Sequence, residues 1–191
     1  MLKQIITETT DAVVAAVKGV DDILGAITGT VKNQVVNVLQ GAGEVGSATV
    51  ESVASVASGA IQGAGQVGAS VTDVAANTMS GIVSGVTQVG GDVLSGIRGG
   101  AKGIVEGVAS TGGDVGGAAV AAVQGAVKAA GDTGQDTAAA AKAAVGGALD
   151  AATDVGGDAG SKVRGALLSA AALPHDVIEA AIKGHDDEEK K

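Results

Sequence analysis

The segment GGDVLSGIRGGAKGIVEGVASTGGDV, residues 90–115, opens and closes on the same four letters. Whether a helix runs through each GGD or stops there decides the architecture of the chain. Glycine can end a helix and aspartate can cap the next, so an array of short helices joined by tight turns is one reading. The repeat around this segment favours another. Gly46, Gly68, Gly90, Gly112, Gly134 and Gly156 recur every 22 residues, as do Gly59, Gly81, Gly103, Gly125 and Gly147, and also Asp92, Asp114, Asp136 and Asp158.

An eleven-residue period lies inside the 22. Placed on a helix at three turns per eleven residues, the bulky apolar residues gather on one side. One row holds Val53, Val86, Ile97 and Val108, a second holds Val50, Ile61, Val83, Leu94 and Val105, and a third holds Ile82 and Ile104. Acidic residues from Glu44 to Asp158 occupy the opposite side, flanked by Arg98, Lys102, Lys142 and Arg164. The same phase covers Leu2 to Leu39 and reaches Ile182, with no insertion visible in the pattern. Four residues of turn should not carry a face from one helix to the next. The expected fold is therefore all-α: a very long, near-continuous amphipathic helix, or a long helical hairpin, packing with other copies. At about 1.5 Å per residue the run would reach roughly 270 Å, and its eleven-residue period implies a straight or right-handed superhelix. Residues 1–40 form an N-terminal segment in this phase. Residues 41–172 hold six 22-residue Gly/Ala/Val repeats, and 173–191 form a short helix and charged tail set off by Pro174.

Composition narrows the function. The 191 residues include 33 Gly, one Pro and no Cys, Phe, Tyr or Trp, yet 46% are apolar. Without aromatic side chains, each of which buries about 150–250 Å², a thick interior cannot be filled, so thin, close contacts are expected. Each helical Gly costs roughly 0.8–1.0 kcal/mol relative to Ala, so the helix needs an external surface to hold it. The net charge of −9 argues against nucleic acid as a partner. No signal peptide or clear membrane span is visible, which makes the cytoplasm the default location.

The motifs yield no chemistry. GAGEVG at 41–46 and GAGQVG at 63–68 fit the dinucleotide fingerprint, but neither follows a strand and the 22-residue repeat explains both. His175 and His185 each adjoin Asp; two His without Cys fall short of a closed zinc site. Ser residues have no His in register, so no triad is assembled, and Thr residues form no single ice-binding row. The expectation is a protein that is not an enzyme and uses no cofactor, metal or small-molecule substrate.

Segments such as GIVSGVTQVGGDV and GIVEGVASTGGDVGGAAVAAVQGAV resemble the eleven-residue-repeat amphipathic helices of synucleins, repeat-rich perilipins and exchangeable apolipoproteins. That resemblance rests on composition and period, and it implies a helix lying in a lipid surface. A departure is that residues 33–97 contain no Lys or Arg, which removes the attraction to anionic lipid. Two functions compete. The first is a structural protein that assembles with itself into a bundle, filament or sheet. Its contacts would be the helix-packing residues Gly46, Gly68, Gly90, Gly112, Gly134, Gly156, Val53, Val86, Ile97 and Val108. The second is a coat on a membrane or lipid droplet, using the apolar face of Val50, Ile61, Ile82, Val83, Leu94, Ile104 and Val105.

Overall fold

The computed structural model describes residues 2–17, 23–41 and 48–188. Among these, the chain forms nine α-helices and no strand. They are α1 (Leu2–Val17), α2 (Ile23–Gly41), α3 (Ala48–Gln66), α4 (Val71–Gln88) and α5 (Val93–Ser110), then α6 (Val115–Asp132), α7 (Thr137–Val155), α8 (Ala159–Ser169) and α9 (His175–Glu188). Each helix packs on the helix two places before it. Thus α1, α3, α5, α7 and α9 stack as one layer, α2, α4, α6 and α8 as a second, and sequence neighbours join the layers.

The expected near-continuous helix, or long hairpin, is not the fold. GGD at 90–92 is both a stop and a start. Gly90 adopts φ +68°, a left-handed conformation that a Cβ would strain. Its N–H donates to the Thr87 carbonyl at 3.1 Å, and the Gly91 N–H reaches back to Val86 at 3.0 Å. This pair of return bonds is the Schellman stop. Asp92 then begins α5 by accepting from the Leu94 N–H at 3.0 Å and from the Ser95 hydroxyl at 2.7 Å. The same stop recurs at Gly68, Gly112 and Gly134, and Asp114 and Asp136 cap the helices that follow.

The arithmetic of the unit explains why the sequence pattern points the other way. Helices α4, α5 and α6 each have 18 residues, which is about five turns at 3.6 residues per turn. Four turn residues complete a unit of 22. Successive units are copies, so their apolar rows coincide whether or not the backbone stays helical between them. The turn carries no phase; repetition does.

The layers stack in one register. Gly81, the eleventh residue of α4, faces Thr28, the sixth residue of α2, and Gly125 of α6 and Gly147 of α7 face Ala76 and Arg98 at the same places in α4 and α5. The starts of α2 and α4 lie 48 residues apart and those of α4 and α6 lie 44 apart. The four extra residues amount to about one helical turn, so the insertion leaves little trace in the row pattern.

The core lies between and within the layers. Ile27, Val31, Val56, Ile61, Met79, Ile82, Ile97, Ile104 and Leu149 are fully or almost fully buried, with Ala, Val and Gly filling most remaining interior positions. Two layers need only a thin core, which short side chains can close-pack.

Candidate functional site

The close contacts are made by the second glycine series. A Cβ on Gly59 would lie 2.6 Å from the Ile6 carbonyl oxygen, and one on Gly81 would lie 2.7 Å from that of Thr28. On Gly103 and Gly147 it would run into the carbonyl oxygens of Ala54 and Arg98, and on Gly125 it would lie 2.9 Å from the Ala76 Cα. One turn further on, Gly63, Gly85 and Gly107 meet Thr10, Lys32 and Ser58 in the same way. Every layer contact from α3 to α7 is therefore a small-residue seam, in which glycine lets backbone touch backbone.

The residues proposed as helix-packing divide. Val53, Val86, Ile97 and Val108 are buried inside the chain. The glycines assigned with them are corrected: Gly68, Gly90, Gly112, Gly134 and Gly156 sit in turns with φ between +68° and +75°, and an added Cβ would touch nothing within 4 Å. Their service is conformational. Gly46 lies outside the described residues. Of the proposed apolar face, Ile61, Ile82, Val83, Ile104 and Val105 are buried, Val50 is half-buried and Leu94 is exposed. GAGQVG separates into the packing glycine Gly63 and the turn glycine Gly68 at the C-terminal end of α3. A helix C-terminus presents carbonyls, the wrong pole for a phosphate.

The most developed polar cluster crosses the odd-numbered layer. The missing Cβ of Gly147 lets α7 approach the Arg98 backbone of α5. One turn along α7, Asp150 then accepts a forked pair of hydrogen bonds from Arg98, at 2.8 Å from Nε and 3.2 Å from a terminal nitrogen. The same carboxylate lies 3.1 Å from Nε2 of His185 on α9. Beside it, Lys102 Nζ of α5 binds Glu51 of α3 at 3.2 Å and Asp154 of α7 at 3.0 Å, with Glu106 at 3.9 Å. Two charged rows thus tie α3 to α5 to α7 and α5 to α7 to α9.

Environment moves several of these groups. Burial alone would raise the Asp150 carboxyl, but the Arg98 hydrogen bonds and charge, aided by His185, hold it below the usual carboxylate range. Burial would lower Lys102, and its hydrogen bonds to Asp154 and Glu51 hold it above the usual lysine value. Burial pushes Glu106 up, with partial relief from Lys102. The Ser95 hydroxyl, together with the backbone N–H groups it caps, lowers Asp92.

This cluster joins helices of one layer. His185 engages Asp150 through Nε2, while its buried Nδ1 has no hydrogen-bond partner among the described residues. His175 starts α9 and His185 lies near its other end. At about 1.5 Å per residue they stand roughly 15 Å apart, too far to share a metal. No group of three His, Cys, Asp or Glu that could hold a metal occurs among the described residues, and no described helix is long and apolar enough to cross a membrane. The sequence rows do not reveal the cluster, because its partners come from different helices. The only signal was the basic flank containing Arg98 and Lys102.

Two stacked layers of short antiparallel helices, each contacting only its near neighbours, define an α-solenoid, a helical repeat protein. Among solved structures, the chain is similar to the crystal structure of a de novo designed helical repeat protein, DHR7. The TM-score is 0.52 at 16% identity, covering 99% of each chain. That likeness concerns the fold alone. No protein-family model matches the chain, and no curated protein matches it significantly.

Proposed function

We propose that this protein is a non-catalytic structural scaffold that works as a single folded chain. The observation that carries the reading is where the small-residue seams go. The surfaces that would recruit other copies, or a lipid, are occupied by the chain's own helices: Gly59 and Gly63 by α1, Gly81 and Gly85 by α2, Gly99, Gly103 and Gly107 by α3.

The ends of the stack support the same reading. Counted from the helix start, Asn33 and Asn37 of α2 stand where α4 carries Gly81 and Gly85, and both are exposed. Glu8 and Asp11 of α1 are exposed at the same end, and α9 exposes Asp176, Glu179, Lys183 and Asp187 at the other. Polar outer faces on terminal units are what keep a repeat array from growing end to end.

The test is sedimentation equilibrium with circular dichroism, in buffer free of lipid and detergent. A helical species of 17.9 kDa that keeps this mass as concentration rises is expected. Ordered filaments would favour the self-assembling reading instead. A disordered chain that turns helical only on vesicles would favour the lipid coat.

A further inference from the structure

We propose that the cleft between α5, α7 and α9 is a binding site for a small oxyanion of the phosphate type. The cleft has a volume of about 230 Å³ and is lined by Arg98, Lys142, Gly146, Ala180, Gly184 and His185, among others. Its ionisable lining is wholly basic, in a chain whose net charge is −9. Asp150, the partner of Arg98 and His185, belongs to the wall of a neighbouring cavity, with Lys102, Thr153 and Asp154, and His185 lines both.

Three features suit an anion. Arg98 is held in place by its forked pair with Asp150, so its planar charge is preorganised rather than waving in solvent. Lys142 makes no ion pair among the described residues, so its ammonium is available to a bound anion without breaking a contact. His185, whose side chain is only 6% exposed, forms part of the inner wall and engages the Asp150 carboxylate through Nε2 at 3.1 Å, so that carboxylate is partnered on two sides. The two glycines keep the space open. A Cβ on Gly184 would meet nothing within 4 Å, and one on Gly146 would first meet the Arg98 guanidinium at 3.9 Å. An anion here would be held by charge-assisted hydrogen bonds, which are stronger than neutral ones.

The experiment is a titration of the full chain with inorganic phosphate, followed by amide chemical shifts at low ionic strength, with chloride at matched ionic strength as comparison. Saturable shifts at Lys142, Gly146, Gly184 and His185 are expected with phosphate only. Lys142→Glu should weaken binding by about tenfold or more, an effect on the order of 1.4 kcal/mol. Gly184→Leu, which fills the cleft without changing charge, should weaken it similarly while the protein keeps its helical signal. Lys128→Glu makes the same charge change on α6, where Lys128 is exposed and paired with Asp132, and should leave affinity within about twofold. Absence of saturation, equal shifts with chloride, or an equal loss in Lys128→Glu would overturn the proposal.

Discussion

Replacing Gly103 by Ala sets two effects of opposite sign against each other. Ala is the better helix former by roughly 0.8–1.0 kcal/mol, so in any helix with room for a methyl group the change stabilises. At Gly103 there is no room. The new Cβ would collide with the Ala54 carbonyl oxygen and come within 2.7 Å of the Ala54 Cα. Both are backbone atoms inside α3, so no rotamer change relieves the contact and the two helices must separate. Overpacking of this kind costs about 1–3 kcal/mol, and a backbone neighbour places the site at the upper end. Subtracting the propensity gain leaves a net loss of about 2 kcal/mol. Gly165 in α8 is the internal comparison, because a Cβ there meets nothing within 4 Å. Gly165→Ala should therefore stabilise by about 0.8–1.0 kcal/mol. Urea unfolding followed by circular dichroism reads both. With a slope of roughly 2 kcal/mol per molar urea, the midpoints should move about 1 M down for Gly103→Ala and about 0.5 M up for Gly165→Ala. Stabilisation by both variants to the same extent would refute the seam, since that is the behaviour of a helix whose glycines face open space.

Turn and cap positions follow similar logic. Gly112→Ala keeps the open surroundings but places a Cβ at φ +72°, so thermal unfolding should show a loss of about 1–2 kcal/mol. Asp136→Ala removes the acceptor that serves the Ala138 and Ala139 N–H groups and should destabilise by about 1 kcal/mol in the same assay. Acid should destabilise the protein through Asp92 and Asp150. Their folded carboxyls lie below the usual range, so their stabilisation is present above the unfolded value near pH 4 and is lost as pH falls through the folded one. Unfolding free energies at stepped pH should fall below about pH 4, and Asp150→Asn should flatten that fall; an unchanged slope would count against the Arg98 pair. Glu106 runs the other way. Its folded carboxyl lies above the usual value, so its ionised form is disfavoured by folding and stability is lost as pH rises through that value. Glu106→Gln should accordingly be more stable than the parent chain at pH 7 and gain nothing at pH 3; a loss at pH 7 would contradict this.

Helical structure and its buried face were legible in particular residues, but the architecture was misread, and the misreading has a definite cause. The rows containing Ile61, Ile82, Ile97 and Ile104 identify residues that are buried, because a side chain facing inward must be apolar in any helical arrangement. What the rows could not distinguish is a face maintained by one helix from a face reproduced by identical units. Units of an 18-residue helix and a four-residue turn, copied one after another, reproduce the same rows without a continuous backbone helix, and Gly90 followed by Asp92 is the chemical sign of the break. Its weight lies in the conjunction: a left-handed glycine and a capping aspartate two residues apart, repeated at Gly112 with Asp114 and at Gly134 with Asp136. The two glycine series look alike in sequence, yet Gly90 serves a turn and Gly103 a seam. The difference rests on backbone dihedral angle and on a neighbour in the helix two places back, Ala54 of α3 in the case of Gly103, neither of which is written locally. The Arg98–Asp150–His185 row was illegible for the same reason, since it requires knowing that α5, α7 and α9 lie side by side.

Small-angle scattering from the lipid-free protein separates a folded solenoid from a long continuous helix in one number. A compact chain of this length has a radius of gyration of about 16 Å, and the elongation of a two-layer stack raises it to roughly 20 Å. A continuous helix of about 270 Å would give roughly 80 Å. The expected result is a value of about 16–20 Å, unchanged on dilution, with forward scattering that corresponds to 17.9 kDa. The rod-like radius of the continuous helix, or forward scattering that climbs with concentration, would contradict the fold and the self-contained scaffold together.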